Sequence, residues 1–217
     1  LLQNTPYDPL RDFLPITLAM SAPNILVVHP SLPVKSVKEL IALAKASPGA
    51  LNYSTGSAGA PNHLAGELFK AMAGVNIVRI PYKSSSVENP ELISGYIQLT
   101  FGYPTALMPH ITSGRLKALA VTGAQPSTLF PGLPTVAASL PGYEVATNTG
   151  IWATAKTPAA IIRRLNQEIV RFLNTAEAKE RLLVAGSEAV GSSPEEFEAL
   201  IQAEMVKWGK LIKDVGI

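Results

Sequence analysis

The chain has 217 residues, enough for one large domain or two small ones, and 47% of them are hydrophobic. Only 16% are charged, the formal net charge is +2, and no run of Lys and Arg resembles a nucleic-acid footprint, so we expect no nucleic-acid partner. The absence of cysteine excludes disulfides and thiolate metal sites. The sequence contains no stretch of about 18 apolar residues, so we predict no membrane span.

The first regular elements are predicted between residues 24 and 46. The run NILVVH at 24–29 is continuously apolar, which is typical of a strand buried on both faces. Ser36 and Glu39 fit a capping box that opens a helix to about Ala46, and Pro48-Gly49 ends that helix.

The segment LNYSTGSAGAPNHLAGELFKAM at 51–72 carries the strongest functional signal. A short apolar run leads into small residues, among which Gly56 and Gly59 can adopt positive φ, and Pro61 suits the first turn of a helix. The free N–H groups and the positive dipole end of that helix favour a bound anion such as a carboxylate. An ordinary Gly-rich turn is an equally good interpretation of the spacing. The helix is expected to bury a stripe formed by Leu64, Leu68, Phe69 and Met72.

Strands and helices continue to alternate as far as residue 122. Strands are predicted at 76–82, 96–101 and 116–122, and helices at 90–93 and 105–112. Helices of this length between strands predict right-handed crossovers and a mostly parallel sheet. Ligands of such sheets lie beyond the carboxyl ends of the strands, which is where the Gly-rich loop is placed.

The C-terminal part has a different pattern. A proline-rich loop at 125–142 precedes a long strand at 143–154, and Thr157-Pro158 is predicted to cap a helix to about Asn174. A second helix at 177–185 ends before Gly186, and Ser193 with Glu196 forms a capping box for a third. The apolar face of the third helix suggests docking on its own domain rather than on a partner; it comprises Phe197, Leu200, Ile201, Met205, Trp208, Leu211 and Ile212.

Catalytic interpretations find little support. Ser57 follows its glycine directly, unlike the serine of a nucleophile elbow, and neither Ser57 nor Thr55 has an evident base. No nucleotide phosphate loop or dinucleotide fingerprint is present. The three histidines (His29, His63 and His110) are too far apart to suggest a metal motif. We therefore expect neither an enzyme nor a cofactor or metal ion.

Several ordered blocks resemble one known family. They are PYDPLRDF (6–13), NILVVHPSLPVKSVKELIALAK (24–45), YSTGSAGAPNHLAGELFKAMAG (53–74), IPYK (80–83), ALMPHITSGRLKALAVTG (106–123), GLPTVAASLPGYE (132–144) and the ending at 191–217. The chain is similar throughout to the Bug family (TctC-type), the periplasmic solute receptors of tripartite tricarboxylate transporters. The resemblance implies an α/β type II periplasmic-binding-protein fold in which two lobes close on a small carboxylate, such as a dicarboxylate, an acidic amino acid or an aromatic acid.

The resemblance also implies domain boundaries. Residues 1–22 correspond to a remnant of the first lobe with a hinge strand, residues 23–145 to the second lobe, and residues 146–217 to the returning hinge strand and C-terminal helices. Family members are longer at the N-terminus, so the first lobe is expected to be largely missing here. The N-terminal LLQNTPYDPLRDF also lacks the basic and apolar regions of a signal peptide.

The family's ligand loop matches the stretch from residue 55 to residue 63. Its backbone N–H groups and hydroxyls are expected to bind the ligand carboxylate, with residues Thr55, Gly56, Ser57, Ala58, Gly59, Ala60, Asn62 and His63. His63 either donates to the ligand or has a capping or packing role. Gly102, Tyr103 and Thr105 match the turn that lines the cleft floor.

Three departures from the family pattern bear on the ligand. Tyr103 stands near a position that is often Asp or Asn, and it either stacks on an aromatic acid or covers the hinge. The segments 83–86 and 88–90 replace Gly-rich and Ala/Leu-containing sequences, and Asn148 replaces an aromatic residue.

We expect a receptor that delivers its ligand to membrane permease subunits. The alternatives are a ligand-sensing subunit of a membrane histidine kinase, and a truncated fragment that self-associates without binding ligand. A neighbouring permease or kinase gene would distinguish the first two.

Overall fold

A computed structural model describes residues 5–217 of the chain; residues 1–4, which belong to the predicted first-lobe remnant and N-terminal stretch, lie outside the described part. The described residues form two compact units. One is continuous, Pro23–Ala146, and the other joins the N-terminal segment that ends at Ala22 to Thr147–Ile217. No helix in the described range is both long and apolar enough to cross a membrane.

The strands are β1 (Phe13–Pro23), β2 (Ile25–Val28), β3 (Asn52–Thr55), β4 (Val78–Pro81), β5 (Leu99–Gly102), β6 (Lys117–Val121), β7 (Ala146–Thr154) and β8 (Glu188–Ala189). The helices are α1 (Pro9–Asp12), α2 (Val37–Ala46), α3 (Pro61–Ala73), α4 (Ser85–Ile93), α5 (Pro104–Thr112), α6 (Ala159–Leu173), α7 (Ala176–Val184) and α8 (Pro194–Val215). Each strand and helix predicted from the sequence is therefore present, with shifted ends.

The continuous unit is built on a five-stranded sheet in the order β4-β3-β5-β2-β6. The prediction of a mostly parallel sheet is wrong for β2. That strand pairs antiparallel with both β5 and β6, whereas β3 pairs parallel with β4 and β5. Strand β2 is joined to β3 through α2 but lies on the far side of β5 and runs opposite to β3, so a strand–helix–strand order alone does not fix the direction of pairing. The sheet is mixed, and strands β3, β4, β5 and β6 run parallel to one another as predicted.

Helix α3 packs on this sheet through a different face from the one predicted. Leu64 and Leu68 are only half-buried and Met72 is exposed, whereas Phe69 is buried as expected. The large ring of Tyr53 on β3 is fully buried opposite Gly66, so the residue of α3 that faces this ring must be small. The remaining buried positions of the face are Asn62, His63, Ala65, Glu67 and Ala73.

The two ends of the continuous unit are held side by side by Thr122. Its hydroxyl Oγ1 accepts a hydrogen bond from the Asn24 N–H (2.8 Å) and donates one to the Val145 carbonyl (2.6 Å). Its backbone N–H donates to the Asn24 carbonyl, and its carbonyl accepts from the Val145 N–H. All of these bonds lie within the unit, and the Thr122 side chain is fully buried.

The second unit contains the three-stranded sheet β7-β1-β8 and the helices α6, α7 and α8. The capping box predicted for α8 is confirmed, because the Glu196 N–H donates to Ser193 Oγ and the Glu196 carboxylate accepts from the Ser193 N–H. The cap predicted for α6 is wrong: Pro158 is the N-cap itself rather than the first helical residue. Three apolar side chains of α6 remain exposed, namely Ile161, Leu165 and Phe172.

Candidate functional site

Three helices of the continuous unit begin at one edge of its sheet. Strands β3, β4 and β5 are parallel, so their carboxyl ends lie together, and α3, α4 and α5 follow them. The N-cap residues Ala60, Ser84 and Tyr103 make no side-chain capping bond within residues 5–217, whereas Ser36 and Ser193 cap α2 and α8. Unsatisfied N–H groups and positive dipole ends therefore converge at this edge, which favours an anion there.

A cavity of about 680 Å³ lies at the same edge. Six of the predicted site residues line it: Gly56, Ser57, Ala60, Asn62, Gly102 and Tyr103. Sequence reasoning did not assign a binding role to the other lining positions, which are residues 81–85, 88, 89, 106 and 107. The only signal for 83–85 and 88–89 was their departure from the family pattern.

The remaining predicted residues lie outside the cavity lining. Thr55 is buried at the end of β3, and its hydroxyl accepts a hydrogen bond from Nε of Arg79 at 2.9 Å. Ala58 and Thr105 are exposed, and the Gly59 N–H donates to the buried His63. A direct contact of these five residues with a ligand stays a prediction.

Hydrogen bonds to the side chains of Asn62 and Arg79 hold the backbone of the Gly-rich loop in place. The Gly56 N–H donates to Asn62 Oδ1 (3.2 Å), and the Gly56 carbonyl accepts from the Arg79 guanidinium (3.1 Å). Gly59 adopts φ +78°, which favours glycine, whereas Gly56 does not take a positive φ. Because the Asn62 oxygen accepts from Gly56, its amide nitrogen is the atom available to a ligand in the cavity.

His63 fixes the loop rather than lining the cavity. The Gly59 N–H donates to His63 Nδ1 at 3.0 Å, so Nδ1 carries no proton and the neutral ring is protonated at Nε2. Nε2 is buried without a hydrogen-bond partner in the described chain and lies 4.0 Å from Glu67 Oε1. Burial, and then the nearby charge of Arg79, lower the pKa of His63. The geometry favours the packing role over donation to a ligand.

Asn148, which departs from the family pattern, lies outside the continuous unit. It is exposed on β7, and its side-chain oxygen accepts a hydrogen bond from the Ser21 hydroxyl at 2.8 Å. His29 and His110 do not line the cavity. Among the residues that the structure describes, no group of three His, Asp or Glu side chains is arranged to hold a metal ion.

Comparisons with known proteins place the chain in one family. A family model described as "Tripartite tricarboxylate transporter family receptor" matches residues 1–217. A protein from the tcbD-tcbE intergenic region of Pseudomonas sp. (strain P51) is 34% identical over 95% of this chain and 62% of its own length. The match covers 62–67% of the length of this relative and of two related Bordetella proteins.

Two solved structures are also similar. R. palustris Rpa4515 with adipate is 37% identical, with a TM-score of 0.82 over 99% of this chain and 72% of that chain. The periplasmic binding protein BugD is 29% identical, with a TM-score of 0.77 over 97% of this chain and 72% of that one. The fold and the family predicted from the sequence blocks are confirmed, and the chain belongs to the receptor family of the tripartite tricarboxylate transporters.

Proposed function

We propose that this chain is the extracytoplasmic receptor part of a tripartite tricarboxylate transporter and binds a small carboxylate in the cavity at the ends of β3, β4 and β5. The observation that carries the proposal is the convergence of three helix N-termini without side-chain caps on one cavity. Oriented N–H donors stabilise an anion without a cationic side chain. The similar R. palustris protein with adipate supports a dicarboxylate as ligand.

The rest of the mechanism is part of the same proposal. We expect the ligand to be enclosed by two lobes and the closed form to be recognised by membrane permease subunits, as the family resemblance implies. A periplasmic location and a receptor role without catalysis belong to it as well. The chain would then act by capturing its ligand and releasing it unchanged to the permease.

Asn62 provides the test. Asn62→Asp keeps an oxygen that accepts the Gly56 N–H but replaces the amide donor with a negatively charged oxygen facing the ligand. Isothermal titration of the protein that carries this chain with adipate, succinate and glutarate should detect binding. The variant should lower the affinity by about tenfold or more, since hydrogen bonds to charged groups contribute about 1.5–3 kcal/mol.

Asn76→Asp is the matched control. It makes the same charge change on an exposed residue just before β4, at the end of the strand opposite the cavity, and should leave binding unchanged. Failure of these acids and of their amino derivatives to bind, or equal affinity of Asn62→Asp and the unmodified protein, would contradict the proposal.

A further inference from the structure

The cavity contains a buried carboxylate of its own. Glu88, in the first turn of α4, is only 9% exposed and lines the cavity. A fixed negative charge at this place repels a ligand carboxylate that comes close to it, and burying such a charge is costly unless it is paired.

One oxygen of Glu88 is fixed to the sheet. Oε1 accepts hydrogen bonds from the Ser54 hydroxyl of β3 (2.7 Å) and the Thr100 hydroxyl of β5 (3.0 Å). Ser54 and Thr100 are register partners on adjacent strands, and both are fully buried. Two strands therefore hold the carboxylate in one orientation, so it cannot turn away when a ligand enters.

The other oxygen, Oε2, makes no hydrogen bond to any residue from 5 to 217. In the same range, no ion pair joins Glu88 to a cationic side chain. Arg79 is engaged with Thr55 and Gly56, and Lys83 is exposed at the cavity. The dipole of α4 offers only partial compensation for the charge of Glu88.

The charge of Glu88 also acts on its surroundings in the cavity. Burial, and then the negative charge of Glu88, raise the pKa of Tyr103, which also lines the cavity. Tyr103 is followed by α5, one of the helices whose N-terminus favours an anion. The cavity thus has donors at the ends of α3 and α5 and an unpaired acceptor at Glu88.

We infer that Glu88 binds a cationic amino group of the ligand, so that the receptor selects an amino carboxylate over the corresponding plain dicarboxylate. The inference rests on the proposed function, because the helix N-termini must bind the ligand carboxylate. The ligand's ammonium donates to Oε2 and its carboxylate accepts from the N–H groups of α3 and α5. Such a ligand neutralises the buried carboxylate and leaves no like charges facing each other.

Matched ligand pairs that differ by one ammonium group test this selectivity. The pairs are succinate and aspartate, glutarate and glutamate, and adipate and 2-aminoadipate, titrated calorimetrically into the protein that carries this chain. In the pair of best-fitting length, the amino member should bind about tenfold more tightly or better, as expected for a charge-assisted hydrogen bond.

Glu88→Gln provides the second arm. Glutamine keeps an oxygen that accepts from Ser54 and Thr100 but presents an NH₂ donor where Oε2 stood. The preference for the amino member should fall by about tenfold or more. Glu39→Gln makes the same charge change on an exposed residue of α2 and should leave the preference unchanged.

Each outcome decides between the two proposals. The role of Glu88 is overturned if the dicarboxylate is preferred in every pair that binds, or if Glu88→Gln leaves the ratio of the two affinities unchanged. Neither result contradicts the proposal that the protein is a carboxylate receptor. Absence of binding by both members of every pair overturns the proposed function, and the selectivity with it. The ligand preference of the unmodified protein decides the question even if the variant folds poorly.

Discussion

Gly66 on α3 lies directly against the ring of Tyr53 on β3: a Cβ at position 66 would be 2.1 Å from Cε2 of the tyrosine. Both residues are buried, and the tyrosine hydroxyl donates to the Glu67 carboxylate at 2.5 Å, so the ring cannot easily move away. This contact sets how closely α3 approaches the sheet. It therefore also sets the position of the Gly-rich loop that precedes the helix.

Gly66→Ala should destabilise the protein. Alanine favours a helix by about 1 kcal/mol over glycine, but overpacking a buried contact costs about 1–3 kcal/mol and more where neither side can shift. We expect a net loss of about 1–2 kcal/mol in the free energy of unfolding, measured by urea denaturation. In a Tyr53→Leu background the same substitution should cost much less. A stabilising Gly66→Ala would show that α3 is free to move outward.

Acidification should loosen the Gly-rich loop through His63. Its pKa is lowered from the ordinary value of 6.5, so the unfolded chain takes up a proton at a higher pH than the folded chain does. The free energy of unfolding should therefore fall as the pH drops below about 6.5. Protonation of Nδ1 would also break its hydrogen bond from the Gly59 N–H. Denaturation and adipate titrations at pH 8 and pH 5.5 measure both effects.

His63→Asn is the comparison for this pH dependence. Asparagine offers an oxygen acceptor for the Gly59 N–H but does not titrate. The variant should show a smaller loss of stability and affinity between the two pH values than the unmodified protein does. An identical pH dependence in both proteins would assign it to other groups.

Arg79 should act on ligand affinity without touching the ligand. Its guanidinium donates to Thr55 Oγ1 and to the Gly56 carbonyl, and it is not among the cavity-lining residues. Arg79→Lys keeps the charge but cannot reproduce both bonds, so we expect an affinity for adipate reduced about tenfold. Arg115→Lys, on an exposed arginine whose side chain donates to Ser113 Oγ, is the control. An unchanged affinity would show that charge, and not geometry, is what Arg79 supplies.

The exposed side chains of α6 should promote self-association of the 217-residue chain expressed alone. Ile161, Leu165 and Phe172 lie along one side of this helix and are 40–54% exposed. Exposed apolar patches of this kind favour association. Sedimentation velocity should show a concentration-dependent increase in mass that Phe172→Glu reduces. Gln167→Glu, on the opposite side of α6, should not reduce it, and a monomer at every concentration would contradict the prediction.

The parts of the fold that depend on neighbouring residues were predictable from the sequence. The buried strand β2, the Ser36 N-cap of α2 and the capping box of α8 follow from residues within a few positions of one another. The capping box predicted for α2 is only half formed, because the Glu39 carboxylate accepts from the Lys35 N–H rather than from the Ser36 N–H. The direction of β2 and the buried face of α3 depend on distant partners, β5, β6 and Tyr53. No local pattern contains that information.

The candidate site divides in the same way. The loop at 55–60 can be recognised in the sequence by its glycines and by Pro61. Its position at a strand end follows from the alternation of strands and helices. Glu88 has no such signature. Its role depends on Ser54 and Thr100, which are 34 and 12 residues away in the chain and meet it only in the folded unit.

Asn24 and Val145 are both hydrogen-bonded to Thr122, and this arrangement has an evolutionary consequence. Both ends of residues 23–146 leave the unit at Thr122, so the unit has the geometry of a domain inserted into a host protein at a single point. A gene segment for this unit could be acquired, exchanged between receptors or removed without stretching the host chain. Such an exchange would transfer the three helix N-termini of the proposed site as one piece, because α3, α4 and α5 all lie within this unit.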